Sequence, residues 1–131
     1  MATRQRPLSP HLQVYRWQIQ MVTSILHRAT GIVLTLGAVL IALALLSLAS
    51  GPEGWHRVGV YARSVPGLLI LFGWTWAYLY HLLNGVRHLA QDMGWGCTIP
   101  AFVRNSWISV VGSLVLSALM VGWVATKAGW L

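Results

Sequence analysis

The residues whose types and spacing could do chemistry lie mainly in one stretch, His81 to Asp92, where an apolar run becomes a cluster of ionisable groups. His81 stands inside the apolar run, which makes it a functional candidate. Gly85 follows one helical turn later on the same face, so we expect a bare notch where a flat ring can press while a nitrogen of His81 reaches its centre. Asp92 follows His88 by four residues, within hydrogen-bonding reach on a helix.

A second cluster consists of Ser24, His27 and Arg28, which are three and four residues apart. On a helix they share one face. A hydroxyl, an imidazole and a guanidinium together can hold a carbonyl or a carboxylate. The alternative is an arginine that extends to phosphate headgroups beside an incidental His and Ser, and the spacing alone does not decide between the two.

Composition places these clusters in a membrane protein. The chain has 131 residues, 56% of them hydrophobic and only 8% charged, with eight Trp, which is not the composition of a soluble domain. Residues 29–52, 64–86 and 105–126 contain no Asp, Glu, Lys or Arg, and each run exceeds the roughly 20 residues that cross a bilayer as a helix.

The predicted fold is therefore all-α, a single membrane domain over residues 1–131 with transmembrane helices at approximately 29–50, 65–90 and 105–126. An amphipathic segment from His11 to Leu26, with apolar residues at three- and four-residue steps, is expected to lie on the membrane surface before the first span. A short interfacial helix is expected in the external segment that follows the turn at residues 50–54. Ser109, Ser113 and Ser117 form a ridge of small residues that allows close helix packing.

The net charge of +7 is an orientation signal, because the basic residues lie mainly at the ends of the apolar runs. The larger basic group puts the N-terminus in the cytoplasm, or in the matrix of a mitochondrion, and we expect no nucleic-acid partner. The first apolar run is too long for a signal-peptide core, so the first helix is expected to remain. The single cysteine, Cys97, excludes an internal disulfide, an iron–sulfur cluster of this chain's own and a covalently attached c-type haem.

The histidine spacing limits the kind of metal site. His81 and His88 are seven residues and so about 10 Å apart along a helix, and they cannot bind one iron together. A haem on the deeper His81 would need its second axial ligand from another chain, and its propionates would find cations at His27 and Arg28. From these residues alone, a haem is one of several interpretations of an intramembrane histidine.

The carboxylate of Asp92 is expected to need a cation, because it stands at the negative end of the helix dipole. His88 and Arg28 are the two candidates, and a solvated carboxylate is the alternative.

Two motifs carry a resemblance to a known family. One is Arg6-Pro7-Leu8 followed by Ser24-x-x-His27-Arg28-x-Thr30, and the other is His81-x-x-x-Gly85-Val86-Arg87-His88-Leu89-x-x-Asp92-x-Gly94. In this order and on these spans, the chain resembles the cytochrome b556 membrane-anchor family of succinate dehydrogenase, the larger of the two anchors of complex II. Gln91 departs from the family pattern, which has an aromatic residue or methionine there, and this bears on packing near the quinone.

The resemblance implies a part in a heteromeric helix bundle of the bacterial or mitochondrial inner membrane. It implies that His81 is the metal ligand of a haem b shared with the small membrane-anchor subunit, with Gly85 and His88 also at the cofactor. It places His27 and Arg28 near the haem propionates.

The resemblance also implies a ubiquinone site that includes Ser24 and Arg28 and is formed with the iron–sulfur subunit. Asp92 is expected to be a further residue of this quinone site. Electrons would come from succinate through the flavoprotein subunit, so the isolated chain is expected to have no activity and no catalytic residue of its own.

Three alternatives belong to other classes. A proton-coupled transporter would need a carboxylate in mid-membrane, whereas Glu53 and Asp92 are at span ends, which argues against it. A structural anchor without a cofactor and the anchor of a fumarate-reducing complex both remain open at this point.

Overall fold

Residues 15–129 fold into three long helices and one short helix. The computed structural model describes residues 15–129, in which the helices are α1 (Ile19–Ala49), α2 (Pro52–Arg63), α3 (Val65–Asp92) and α4 (Ile99–Lys127). Helices α1, α3 and α4 are long and apolar enough to cross a membrane, so the prediction of an all-α chain with three spanning helices is confirmed. Helix α2 occupies the place of the expected short helix.

Local signals set the ends of α3, the helix that carries most of the candidate residues. At its start, the Ser64 side chain accepts a hydrogen bond of 3.3 Å from the backbone N–H of Gly67, and Pro66 stands in the first turn, where it removes no helical hydrogen bond. At its end, Gly94 takes a φ of 83°, and the N–H of Trp95 returns to the carbonyl of Ala90 at 2.9 Å. This left-handed residue ends α3 immediately after Asp92.

The amphipathic segment differs from its predicted form. Ile19, Val22 and Leu26 belong to α1, which continues without a break to Ala49, instead of forming a separate surface helix. No proline interrupts residues 19–49, so the backbone hydrogen bonds continue from one part into the other. At 31 residues the helix is about 46 Å long, longer than the roughly 30 Å of hydrocarbon. His11 and Leu12 lie outside the described residues.

Helix α3 packs against both α1 and α4, and small residues permit this packing. The indole of Trp74 fills the space beside Gly37 on α1, where a β-carbon would overlap the ring. On α4, Ser109, Ser113 and Ser117 are buried, which confirms the predicted ridge. Large aliphatic side chains instead cover the outer faces of the helices, as suits a surface that meets lipid or other membrane helices.

Candidate functional site

His81 is held against α1 by one of its two ring nitrogens. Its Nδ1 lies 3.1 Å from the carbonyl oxygen of His27 and 3.2 Å from Oγ1 of Thr30. The carbonyl can only accept, and the Thr30 hydroxyl already donates to the carbonyl of Leu26 at 2.8 Å, so both partners accept from a protonated Nδ1. In a neutral imidazole this leaves the lone pair on Nε2, and a histidine fixed in this way has the form of a metal ligand.

The ring of His27 stacks on the ring of His81. Their centroids are 3.8 Å apart and their planes differ by 14°, while His88 lies 5.4 Å from His27 at 57°. Three imidazoles therefore meet where α1 crosses α3. Within residues 15–129 no three His, Cys, Asp or Glu side chains are grouped so that they could hold a metal ion by themselves.

Glycines on both helices make room for these rings. A β-carbon at Gly31 would lie 3.3 Å from Cε1 of His81, which is tight, and one at Gly85 would lie 3.8 Å from Cε1 of His27. The notch expected at Gly85 thus faces the His27 imidazole of the neighbouring helix. The place of Gly85 in a cofactor site stays a prediction.

Ser24 and Arg28 lie one turn apart near the start of α1, at the same end of the bundle as the histidines. Ser24 is half-buried and Arg28 is exposed, so the guanidinium is directed away from the packed interior. Asp92, the last residue of α3, is also exposed. In the described part of the chain it forms no ion pair with Arg28 or with His88, so neither predicted partner pairs with it here.

Arg87 is buried between the helices, a position that the residue spacing does not predict. Only 7% of it is exposed, and its Nη1 donates to Oγ of Ser106 at 2.9 Å and to Oγ1 of Thr23 at 3.2 Å. Its Cζ lies 5.1 Å from the centroid of the Phe102 ring, which adds a cation–π contact. Arg87 thereby links α1, α3 and α4 next to the histidine cluster.

Comparisons with known proteins identify the family. The family described as succinate dehydrogenase/fumarate reductase transmembrane subunit matches residues 2–120 of the chain. The chain belongs to this family.

Its relatives are named as subunits of one enzyme. The succinate dehydrogenase cytochrome b556 subunit of Paracoccus denitrificans is 44% identical over 114 residues, which are 87% of this chain and 88% of the relative. That of Rickettsia felis is 37% identical, with 91% of each protein covered. The mitochondrial cytochrome b560 subunit of Sus scrofa is 39% identical over 87% of this chain and 71% of its own length. The resemblance carried by the two motifs is confirmed, and this is a multi-pass membrane subunit of the succinate dehydrogenase family.

Within this family member, the structure brings together some of the predicted residues and not others. His27, His81 and His88 form one cluster, whereas Arg28 and Asp92 remain exposed at its edge. Thr23 and Tyr80 did not stand out in the sequence, although Tyr80 is fully buried and donates to the carbonyl of Thr23 at 2.8 Å. The spacing of Tyr80 and Arg87 could have indicated a polar contact here, because residues seven positions apart share one face of a helix.

Proposed function

We propose that this chain is the large membrane anchor of a succinate:ubiquinone oxidoreductase. In this proposal His81 would hold the iron of haem b, and the chain would form part of the site where ubiquinone is reduced. The observation that carries the proposal is the fixed imidazole of His81, with Nδ1 bound to α1 and Nε2 left to act as a ligand. The names of the relatives, all cytochrome b subunits of succinate dehydrogenase, support the direction from succinate to quinone.

The residues present fit a haem with one ligand from this chain. His81 would hold the iron through Nε2, and a further ligand would come from the small anchor subunit. His27 has a buried Nδ1 without a hydrogen-bond partner among the described residues, and Arg28 is an exposed cation one residue later. Both suit the carboxylates of a haem. When bound, haem b supplies a centre that takes up and releases one electron.

In the quinone site, Ser24 and Arg28 have different roles. The Ser24 hydroxyl donates a hydrogen bond to a carbonyl oxygen of the bound quinone and so orients the ring. The Arg28 guanidinium lies one turn further along the helix and stabilises the negative charge that develops on a quinone oxygen during reduction. Because Asp92 is exposed, it can exchange protons with water at the mouth of the site and so pass a proton to the reduced quinone.

The same end of the bundle would face the soluble subunits. Ser24, Arg28 and the histidines lie near the start of α1 and the end of α3. We place this end on the cytoplasmic or matrix side, following the distribution of basic residues. The iron–sulfur subunit would dock there and pass electrons to the quinone, and the flavoprotein subunit would supply them.

The experiment is Ser24→Ala in the assembled membrane complex. Loss of one hydrogen bond of about 1.4 kcal/mol predicts a roughly tenfold lower succinate-to-ubiquinone rate at low quinone concentration. Succinate oxidation with a soluble dye acceptor should stay unchanged, because that route bypasses the quinone. Ser47→Ala, on the same helix at its other end, is the matched control. Equal loss of both activities, or no loss of either, would contradict the role of Ser24.

A further inference from the structure

Thr23 on α1 is held by α3 through two separate hydrogen bonds. The hydroxyl of Tyr80 donates to the backbone carbonyl of Thr23 at 2.8 Å, and Nη1 of Arg87 donates to its Oγ1 at 3.2 Å. Tyr80 and Arg87 are two turns apart, about 10 Å along the helix. They reach Thr23 from different heights on α3, so together they fix the position of this one residue along the helix contact.

A third contact ties the same guanidinium to α4. The Ser106 hydroxyl donates to the carbonyl of Phe102 at 2.8 Å, which leaves its oxygen free to accept from Arg87 at 2.9 Å. Within residues 15–129, neither Glu53 nor Asp92 forms an ion pair with Arg87. The partners of Arg87 are therefore neutral oxygens and an aromatic ring, and the geometry of two hydroxyl groups determines where the cation lies.

This network adjoins the candidate site on both helices. Thr23 immediately precedes Ser24, and Tyr80 and Arg87 immediately precede His81 and His88. All three members of the network on α1 and α3 are buried, so their neighbours in the chain have little freedom to shift. A change in how Thr23 is held would move Ser24 relative to the histidines of α3.

We propose that Thr23 and Arg87 are positioning residues that hold Ser24 in place for quinone binding through the hydroxyl of Thr23. They do not touch the quinone. The inference rests on the proposed function, because it concerns the same quinone site. The hydrogen bonds of Thr23 with Tyr80 and Arg87 would thus set the spacing between α1 and α3 at the quinone site.

Two variants of Thr23 separate this role from simple packing. Thr23→Val keeps the size and shape of the side chain but removes the acceptor for Arg87, whereas Thr23→Ser keeps the hydroxyl and loses a methyl group. If residue 23 only fills space, Val is the mild substitution and Ser the harmful one. If its hydroxyl positions Ser24, the order is reversed.

The measurement is the Kd of a short-chain ubiquinone for the purified oxidised complex, determined by calorimetry, together with kcat at saturating quinone. We expect Thr23→Val to raise the Kd about 2- to 10-fold, as the loss of one hydrogen bond predicts, with kcat within about twofold. Thr23→Ser should keep the wild-type Kd. Ser106→Ala should also raise the Kd, while Ser109→Ala should not, because Ser109 is equally buried but donates only within α4, to Asn105 at 3.1 Å.

Two results would overturn the inference, and they differ from each other. The first applies if Ser24→Ala does weaken quinone binding. The positioning role is then refuted if Thr23→Val keeps the wild-type Kd, or if Thr23→Ser raises the Kd as much as Thr23→Val does, and the quinone site itself stands. A wild-type Kd for Ser24→Ala would remove the quinone assignment itself, and the positioning role with it.

Discussion

Thr30→Val tests whether α1 orients His81, the proposed haem ligand. Thr30 is buried, and Val has nearly its shape, so packing is kept while the hydroxyl is lost. The N–H at Nδ1 of His81 then retains only the carbonyl of His27, at 3.1 Å, and loses Oγ1 of Thr30, at 3.2 Å. The variant removes one of two acceptors and leaves no buried N–H without a partner.

The magnitude follows from this sharing. A full hydrogen bond contributes about 0.5 to 1.5 kcal/mol to stability. The N–H of His81 is shared between two acceptors, so the loss of one acceptor should cost a free energy in about the lower half of that range. Since 1.4 kcal/mol corresponds to a factor of ten, we expect haem to be lost about 2- to 5-fold faster. This agrees with the general finding that metal sites bind the metal more weakly when a hydrogen-bond partner of a ligating histidine is removed.

The assay is haem loss from the purified complex to an excess of apomyoglobin, followed by absorbance. Thr35→Val is the matched control, because the Thr35 hydroxyl donates to the carbonyl of Gly31 at 3.0 Å on the exposed side of the same helix. Thr30→Ser should restore the wild-type rate. Equal rates for Thr30→Val and Thr35→Val, or fast loss from Thr30→Ser, would refute the orienting role of Thr30.

Two further predictions concern packing between the helices. Gly37→Ala should destabilise the assembled complex by about 1 to 3 kcal/mol and lower its Tm in thermal melting, because the new β-carbon overlaps the Trp74 indole. The double variant Gly37→Ala with Trp74→Leu should recover part of the lost Tm. The control is Gly73→Ala, where nothing lies within 4 Å of the added β-carbon, and equal Tm values for Gly37→Ala and Gly73→Ala would contradict the overlap. Ser113→Leu should lower the yield of folded complex by forcing α3 and α4 apart, since Ser113 is fully buried. Its control, Leu114→Ser on the exposed side of α4, should have a much smaller effect on size-exclusion profiles, and equal losses from both would show that the ridge is not a packing surface.

The sequence predicted what depends on composition and on short-range spacing. The three charge-free runs located the spanning helices, and the serine spacing located the face of α4 that packs. The boundary at residue 19 could not be predicted, because an amphipathic stripe looks the same in a separate surface helix and in the first turns of a long one.

Residue spacing within a helix could not predict the contacts between helices. The sequence shows Arg87 as part of the second motif, next to the end of a charge-free run, whereas in the structure it is buried among Thr23, Ser106 and Phe102. Which face of α3 meets which helix depends on the packing of all three spans. The hydroxyl groups of Thr23 and Ser106 belong to two other helices, and their sequence positions do not indicate that they contact Arg87. The stacking of His27 on His81 is a contact of the same kind.

The reduced-minus-oxidised visible spectrum of the complex carrying His81→Tyr tests the central claim most directly, with His56→Tyr on the exposed face of α2 as the control. If His81 is a haem ligand, its variant should lose or clearly shift the α-band of a b-type haem while the subunits stay assembled, and the His56 variant should keep the wild-type spectrum. An unchanged spectrum for His81→Tyr in an assembled complex would contradict the account, because the iron would then be held without this histidine.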